Sequence, residues 1–359
     1  MNLFEKEMTR SQIFDRIGDI SQLGGIKSYE LTDGAARGIR AYDLKTPAGI
    51  DMSVLADRGL EISYLSYKSI PISWRSATRE RNPSYFESRS DEWLRGFYGG
   101  LFSMCGLTYC GPPSMYEGTE YNIHGRASNL PGYDLCHGVD WEGDQGTLWL
   151  SGKIREVKFS GDKIELSRRI STPMDEPKII IEDKIKNFGI NRSTLMLLYH
   201  FNIGWPVLDE TSALLEGEAE VFTQDEESEK NKGDFNRFCA PRAGFKNQIF
   251  LHDIKADQEG YCNIALVNER FKDGEGIGIL VRYKKDTLPC LTQWKMLNKG
   301  GDYVCGIEPG NLFLTSYEDA KRKGKMEYID PGEEKDFKIE VSVLRSNKDI
   351  SGFRSKLGI

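Results

Sequence analysis

The sequence predicts an all-β protein with few short helices, built as a large antiparallel sandwich or barrel. Three observations carry this: apolar residues recur with period two, turn residues punctuate them at short intervals, and helical patterning is scarce. The alternation is plainest after Thr147. In TLWLSGKIREVKFSGDKIELSRRIST, Val157 and Phe159 flank Lys158, Ser160–Gly161–Asp162 reads as a turn, and Ile164 and Leu166 flank Glu165. That pattern predicts a hairpin. KIIIEDKIKN and STLMLLYHFNI follow as further strands, each bounded by Pro, Asn or Gly. Near the C-terminus, DFKIEVSVL sets Phe337, Ile339, Val341 and Val343 on one face and Lys338, Glu340 and Ser342 on the other.

Helices are expected only in FEKEMTRSQIFDRIGDI, at the N-terminus, and in SYFESRSDEWLRGF, where Phe86, Trp93 and Leu94 sit among charges. The tract TQDEESEKNKGDF from Thr223 has no apolar periodicity and reads as a solvated loop. No internal repeat or long linker divides the chain. Residues 1–359 are therefore expected to form a single β domain, with 1–20 as a peripheral helical extension.

Composition narrows the function. Hydrophobic residues make up 39% and aromatics 11% of the chain, enough for a sizeable core. A net charge of −7 and a pI of about 5.4 argue against a nucleic-acid partner, because no basic stripe exists to neutralise phosphates. The first residues lack the apolar stretch of a secretory signal, and no run approaches the roughly 18 apolar residues of a membrane span. The seven cysteines are irregularly spaced with no C-x-x-C pair, as expected of reduced thiols in a cytoplasmic protein rather than a zinc ribbon.

Three segments hold side chains suited to chemistry. His124 lies in YNIHGR, a Gly-flanked loop with Arg126 two residues on; it reads equally as a binding loop or a solvated one. His200 ends the strand STLMLLYHFNI, which is apolar on both faces, with Met196 and Leu198 sharing its parity. A histidine there must find partners, as a core residue or a functional one. Glu308 lies in GDYVCGIEPGN, where Tyr303–Ile307 reads as a strand and Pro309–Gly310 as the turn that ends it. His137 and His252 read as turn-flanking positions and are set aside. KDGEGIGIL lacks the strand–helix context of a phosphate loop, and neither G-x-S-x-G nor H-E-x-x-H occurs.

Taken in order, NIHGR, YHFNIG and IEPGN resemble the signature segments of the aldose 1-epimerase (galactose mutarotase) superfamily. The resemblance extends to ADRGLEI, GGLFSMCGLTYCGPP, YHFNIGWPVLDE and LPCLTQWK, which are similar to the DUF4432 branch and span roughly residues 20 to 345. There are departures: no asparagine precedes His200, no aspartate matches the ring-hydroxyl ligand of typical mutarotases, and Arg58, Arg75 and Arg126 compete for the family's arginine. The resemblance implies an antiparallel β-supersandwich and an isomerase that interconverts sugar anomers by acid–base chemistry without a cofactor. It makes Glu308 the base, ionised near neutral pH, and His200 the acid, protonated with help from a nearby carboxylate. His124 is implied to hydrogen-bond the sugar.

A small-molecule carbohydrate is then the expected partner, with Arg126, Arg58, Gln293, Trp294 and Lys295 as binding candidates and Trp74 and Trp205 as stacking platforms. Lys295 and Arg126 together would suit an anionic sugar. Two rival readings remain on the sequence: a metal-dependent sugar isomerase with His124, His200 and Glu308 as ligands, and a non-catalytic carbohydrate-binding protein.

Overall fold

The period-two segments pair with one another into two antiparallel sheets in the computed structural model, which describes residues 1–359. One sheet has eight strands in the spatial order 133–142, 145–157, 163–173, 178–187, 334–344, 277–284, 261–268 and 213–216. The other has eleven, running 219–223, 248–254, 290–297, 303–310, 196–203, 102–107, 61–67, 50–55, 40–45 and 25–30, with 70–71 beside 61–67. Alternate residues of each sheet meet between them. Ile164, Leu166, Ile170 and Ile339 come from one side, and Leu197, Tyr199, Phe201 and Ile307 from the other. No helix is long and apolar enough to cross a membrane.

The hairpin after Thr147 forms as Gln145–Val157 and Lys163–Pro173, but its inward parity is even: Leu148, Leu150 and Ile154 are buried. Val157 and Phe159 fall on the solvent parity and are 50% and 96% exposed. Residues 1–20 are not a peripheral helical extension. They form a small ribbon, Asn2–Leu3 with Lys6–Glu7, and one short helix, Arg10–Phe14, closed by a Thr9–Gln12 capping box. Met1, Leu3, Ile13 and Ile17 are buried in the main core, so hydrophobic packing draws the segment in.

Helix placement also departs from the sequence expectation. SYFESRSDEWLRGF makes two 3-10 turns, Pro83–Tyr85 and Glu92–Gly96, because the backbone between them turns left-handed at Ser90, with φ 46°, and no continuous helix can pass through it. The acidic tract after Thr223 holds a short helix, Glu226–Lys230, whose first turn is satisfied by Asp225 accepting from the Ser228 N–H at 2.8 Å. A C-terminal helix, Asn347–Leu357, runs from an N-cap at Ser346 to a left-handed Gly358 and buries Ile350 and Phe353.

The strand Met196–Ile203, the histidine strand, explains its own composition. All eight of its residues are buried. Leu197, Tyr199, Phe201 and Ile203 enter the core between the sheets. Met196 and Leu198 enter a second apolar cluster, with Trp74, Trp93 and Phe97, on the opposite face of the eleven-stranded sheet. His200 shares their parity and faces that second cluster.

Candidate active site

Register brings the polar residues together. The glutamate strand, Tyr303–Gly310, pairs with the histidine strand through Leu198↔Gly310 and Phe201↔Ile307, which sets Glu308 beside His200. On its other edge, the tryptophan strand Cys290–Leu297 places Thr292 opposite Glu308 and Trp294 opposite Gly306. Thr292, Glu308 and His200 thus form one row across three strands, all 4% exposed or less. His200 Nε2 lies 3.1 Å from Glu308 Oε1.

Local sequence accounts for this geometry. Pro309–Gly310 does not end the strand; the ladder runs to Gly310, so Glu308 is inside it and buried. Asn311 then takes over the hydrogen bonding. Its Oδ1 accepts from the Leu197 N–H at 2.7 Å and its Nδ2 donates to the Leu195 carbonyl at 2.8 Å, clamping the histidine strand. A Cβ on Gly306 would come within 2.4 Å of Glu308 Oε1, so glycine leaves the space the carboxyl group occupies.

The NIHGR loop is held in a similar way. Asn122 Nδ2 donates to the carbonyls of Ile123 and Gly125 at 2.9 and 2.7 Å. The backbone turns through two left-handed residues, His124 at φ 58° and Gly125 at φ 72°. A Cβ on Gly125 would meet the Tyr109 carbonyl oxygen at 2.1 Å, so only glycine fits there. His124 is thereby presented 6.3 Å from the His200 ring, its Nδ1 3.8 Å from Cys110 Sγ.

Burial reverses the protonation expected from the sequence. It pushes the Glu308 carboxyl well above the usual carboxylate range, with the nearby Cys110 adding to the shift. Burial, and then the charge of His124, pulls His200 down to about 3. Both shifts favour uncharged forms, so burial favours the pair's shared proton on Glu308 over His200. The hydrogen-bonding capacity around the pair is also incompletely used. Trp93 Nε1, His200 Nδ1, Thr292 Oγ1 and Glu308 Oε1 are buried without a hydrogen-bond partner, and all four residues line a single cleft of about 1160 Å³. The approach of His200 Nε2 to Glu308 Oε1 is close in distance but lacks the alignment of a hydrogen bond. Unpaired buried polar atoms are costly, and their convergence marks a place for a polar ligand.

The cleft's walls are aromatic: Trp74, Trp93, Phe97 and Trp294 surround His200. Of the residues picked from the sequence, His124, His200, Glu308, Trp74 and Trp294 line this space. The others do not. Gln293 and Lys295 lie on the opposite parity from Trp294 and face the interior; Gln293 bonds His252 and the Phe235 carbonyl, and Lys295 Nζ donates to the Asp234 carbonyl at 2.9 Å. Arg58 is 1% exposed behind the site, donating to the carbonyls of Ser128, Arg81 and Gly96. It ties the end of the His124 loop to the segment bearing Trp93 and Phe97. Arg126 is exposed over the Phe86 ring, Arg75 pairs with Glu80, and Trp205 is 64% exposed outside the cleft. His252 is no turn residue. It is fully buried in the strand Gln248–Ile254.

Thr292, Trp93 and Phe97 are cleft residues that the sequence does not single out. Strand parity with Trp294 points to Thr292; the two aromatics lie outside any strand pattern. No group of three or more His, Cys, Asp or Glu side chains is placed to hold a metal ion, so the two histidines and Glu308 do not form a ligand triad. A smaller hollow of about 640 Å³ lies on the outer face of the eight-stranded sheet, but its charges pair with one another, as in Lys153–Asp134 and Lys184–Asp336.

Comparison with known proteins agrees with this architecture. The model of a family described as a domain of unknown function, DUF4432, matches residues 36–343. A solved structure of a candidate aldose 1-epimerase from Klebsiella pneumoniae superposes with a TM-score of 0.88 at 20% identity, covering 93% of this chain and 86% of that one. The galactose 1-epimerase from Lactobacillus acidophilus superposes at 0.59 with 12% identity, covering 90% and 100% of the two chains. A galactose mutarotase-like protein from Clostridium acetobutylicum gives 0.59 at 11%, covering 90% and 99%. At these identities the likeness is one of fold. No curated protein matches the sequence.

Proposed function

Since the chain belongs to the DUF4432 family and has the galactose mutarotase-like fold, we propose that its cleft interconverts the anomers of an aldose sugar. The observation that carries this reading is the His200–Glu308 contact of 3.1 Å, buried at the floor of a cleft whose unpartnered polar atoms converge on it.

Anomer exchange needs one base, one acid and no redox change. The base removes the proton of the anomeric hydroxyl as the C1–O1 bond becomes a carbonyl; the C1–O5 bond breaks and the acid protonates O5. Rotation about C1–C2 and the reverse steps close the ring on the other face. The two oxygens share one carbon, so acid and base must stand close together. A pair that holds a single proton between two groups fits this requirement. The reactive distribution is reached when the proton passes from Glu308 to His200 across their 3.1 Å contact; Glu308 then serves as base at O1 and His200 as acid at O5. After ring opening the proton rests on Glu308, which is the distribution that burial favours. His124 is positioned to donate to a neighbouring oxygen as charge develops.

The aromatic walls support a sugar, whose C–H faces stack on such rings, and they exclude water from the proton transfers. The test is anomer exchange measured by NMR across hexoses, pentoses and deoxy sugars, with the His200→Asn protein as control. Acceleration that the variant loses supports the reading; a broad panel without acceleration removes it.

A further inference from the structure

Resting on the anomer-exchange reading of the same cleft, we propose that its substrate is a 6-deoxy sugar, with a methyl group where common hexoses carry a hydroxymethyl. The cleft is polarised. On the side of His124, the Trp93 indole N–H is buried without a partner, and the Trp93 ring stands edge-on to His124 at 4.9 Å. Beyond Phe97, which stacks on Trp93 at 4.7 Å, the rings of Trp74, Phe97 and Trp294 form a corner with centroids 5.7 to 6.1 Å apart. Both indole N–H groups of that corner are already engaged. Trp74 Nε1 donates to the Gly301 carbonyl at 2.7 Å, and Trp294 Nε1 donates to Asn247 Oδ1. The three rings of this corner therefore offer a ligand only carbon.

The chemistry fixes what occupies it. In a pyranose, the ring oxygen and the exocyclic carbon are both bonded to C5. With His200 serving the ring oxygen, the exocyclic carbon falls among the groups flanking His200, and Phe97 and Trp294 stand 5.3 and 5.6 Å from its ring. A hydroxyl carried there loses its water and gains no partner, whereas a methyl group packs. A carboxylate or phosphate at that carbon fares worse, because the cleft is lined by Asp302 and Asp319 against a single lysine, Lys323, and by no arginine. Lys295 and Arg126, the cations that would have suited an anionic sugar, are not among its lining residues.

The experiment compares sugars that differ only at this carbon: 6-deoxy-D-glucose with D-glucose, D-fucose with D-galactose, L-fucose with L-galactose, and L-rhamnose with L-mannose. Exchange is followed by NMR, and binding by quenching of the cleft tryptophans. The deoxy member of the preferred pair is expected to lead in kcat/KM by about 10- to 100-fold, the range an apolar pocket achieves against an added hydroxyl. Trp294→Gln, which sets an amide in the corner, is expected to shrink that preference; Phe97→Asn serves if the first variant does not fold. Equal or better exchange of the hydroxymethyl member in every pair, or of a matching uronate or 6-phosphate, overturns the proposal and leaves the anomer-exchange reading standing. Tighter binding of the deoxy members without any exchange does the reverse. Absence of both binding and exchange overturns both.

Discussion

Two histidines of the eleven-stranded sheet are buried against a glutamate, and what else they touch separates them. His252 faces the interior between the sheets. Its Nδ1 lies 3.0 Å from Glu216 Oε1, on a strand of the opposing sheet, and its Nε2 lies 3.2 Å from Gln293 Oε1. Both ring nitrogens are occupied and the contact joins the two sheets. His200 faces the other way. Its Nε2 meets Glu308, its Nδ1 meets nothing, and both residues open onto the cleft. Burial and a carboxylate neighbour are common to the two sites, so neither feature marks function. Unmet hydrogen bonding beside a cavity does.

The comparison is open to direct attack. His200→Asn and Glu308→Gln should each lower kcat by roughly 100- to 10,000-fold, the span of general acid–base effects, with near-unchanged thermal unfolding. Turnover close to wild type in either variant would remove the pair from the chemistry. His252→Leu should behave oppositely. Stripping a buried partner from Glu216 and Gln293 should cost roughly 3 kcal/mol of stability in denaturant unfolding, with the activity of the folded protein retained. A stable His252→Leu protein with no turnover would mean that the two sites had been assigned the wrong way round.

A third variant sharpens the role of position within the cleft pair. Gly306→Ala sets a Cβ 2.4 Å from Glu308 Oε1, and the carboxyl group, as the end of a flexible side chain, can swing aside at small structural cost. The protein should fold, with kcat reduced by about tenfold or more because a misplaced catalytic group loses effective concentration steeply. Wild-type kcat in the Gly306→Ala protein would show that Glu308 acts from another position.

The smallest effect expected concerns pH. Protonating His200 while Glu308 already holds its proton removes the only base, so activity falls as pH drops through the folded-state value of His200. Because burial lowers that value to about 3, kcat/KM should pass level through the region near 6.5 where an exposed histidine titrates. An acid limb centred near 6.5 would show instead that His200 is solvated rather than buried in the free enzyme.

Much of this site is legible in the one-dimensional pattern, and the failures have a common cause. His124, His200 and Glu308 stand out because histidines are scarce and each lies beside a glycine, a proline or a strand end. Gln293, Trp294 and Lys295 look like neighbours on one surface, although a strand sends alternate residues to opposite faces. Only Trp294 reaches the cleft, joined by Thr292 two residues before it. The C-terminal helix is equally available in principle: Ser346 and Asp349 begin it, Ile350 and Phe353 share its buried face, and Gly358 ends it. The N-terminal segment looks peripheral because sequence gives no measure of how much core remains to be filled.

What the sequence determined by itself was the period-two alternation, the turns between strands and therefore the antiparallel sandwich. It also determined one fixed backbone position, Asn122, whose amide donates to the carbonyls one and three residues further on. These are consequences of local sterics and hydrogen bonding, acting over a few residues. Register and burial belong to the tertiary structure, because they depend on segments a hundred residues apart. Strand register set Glu308 next to His200; the turns around Trp93 and Phe97 closed an aromatic wall over them. The low-dielectric surroundings so created favour the proton of the pair on the carboxyl group over the histidine.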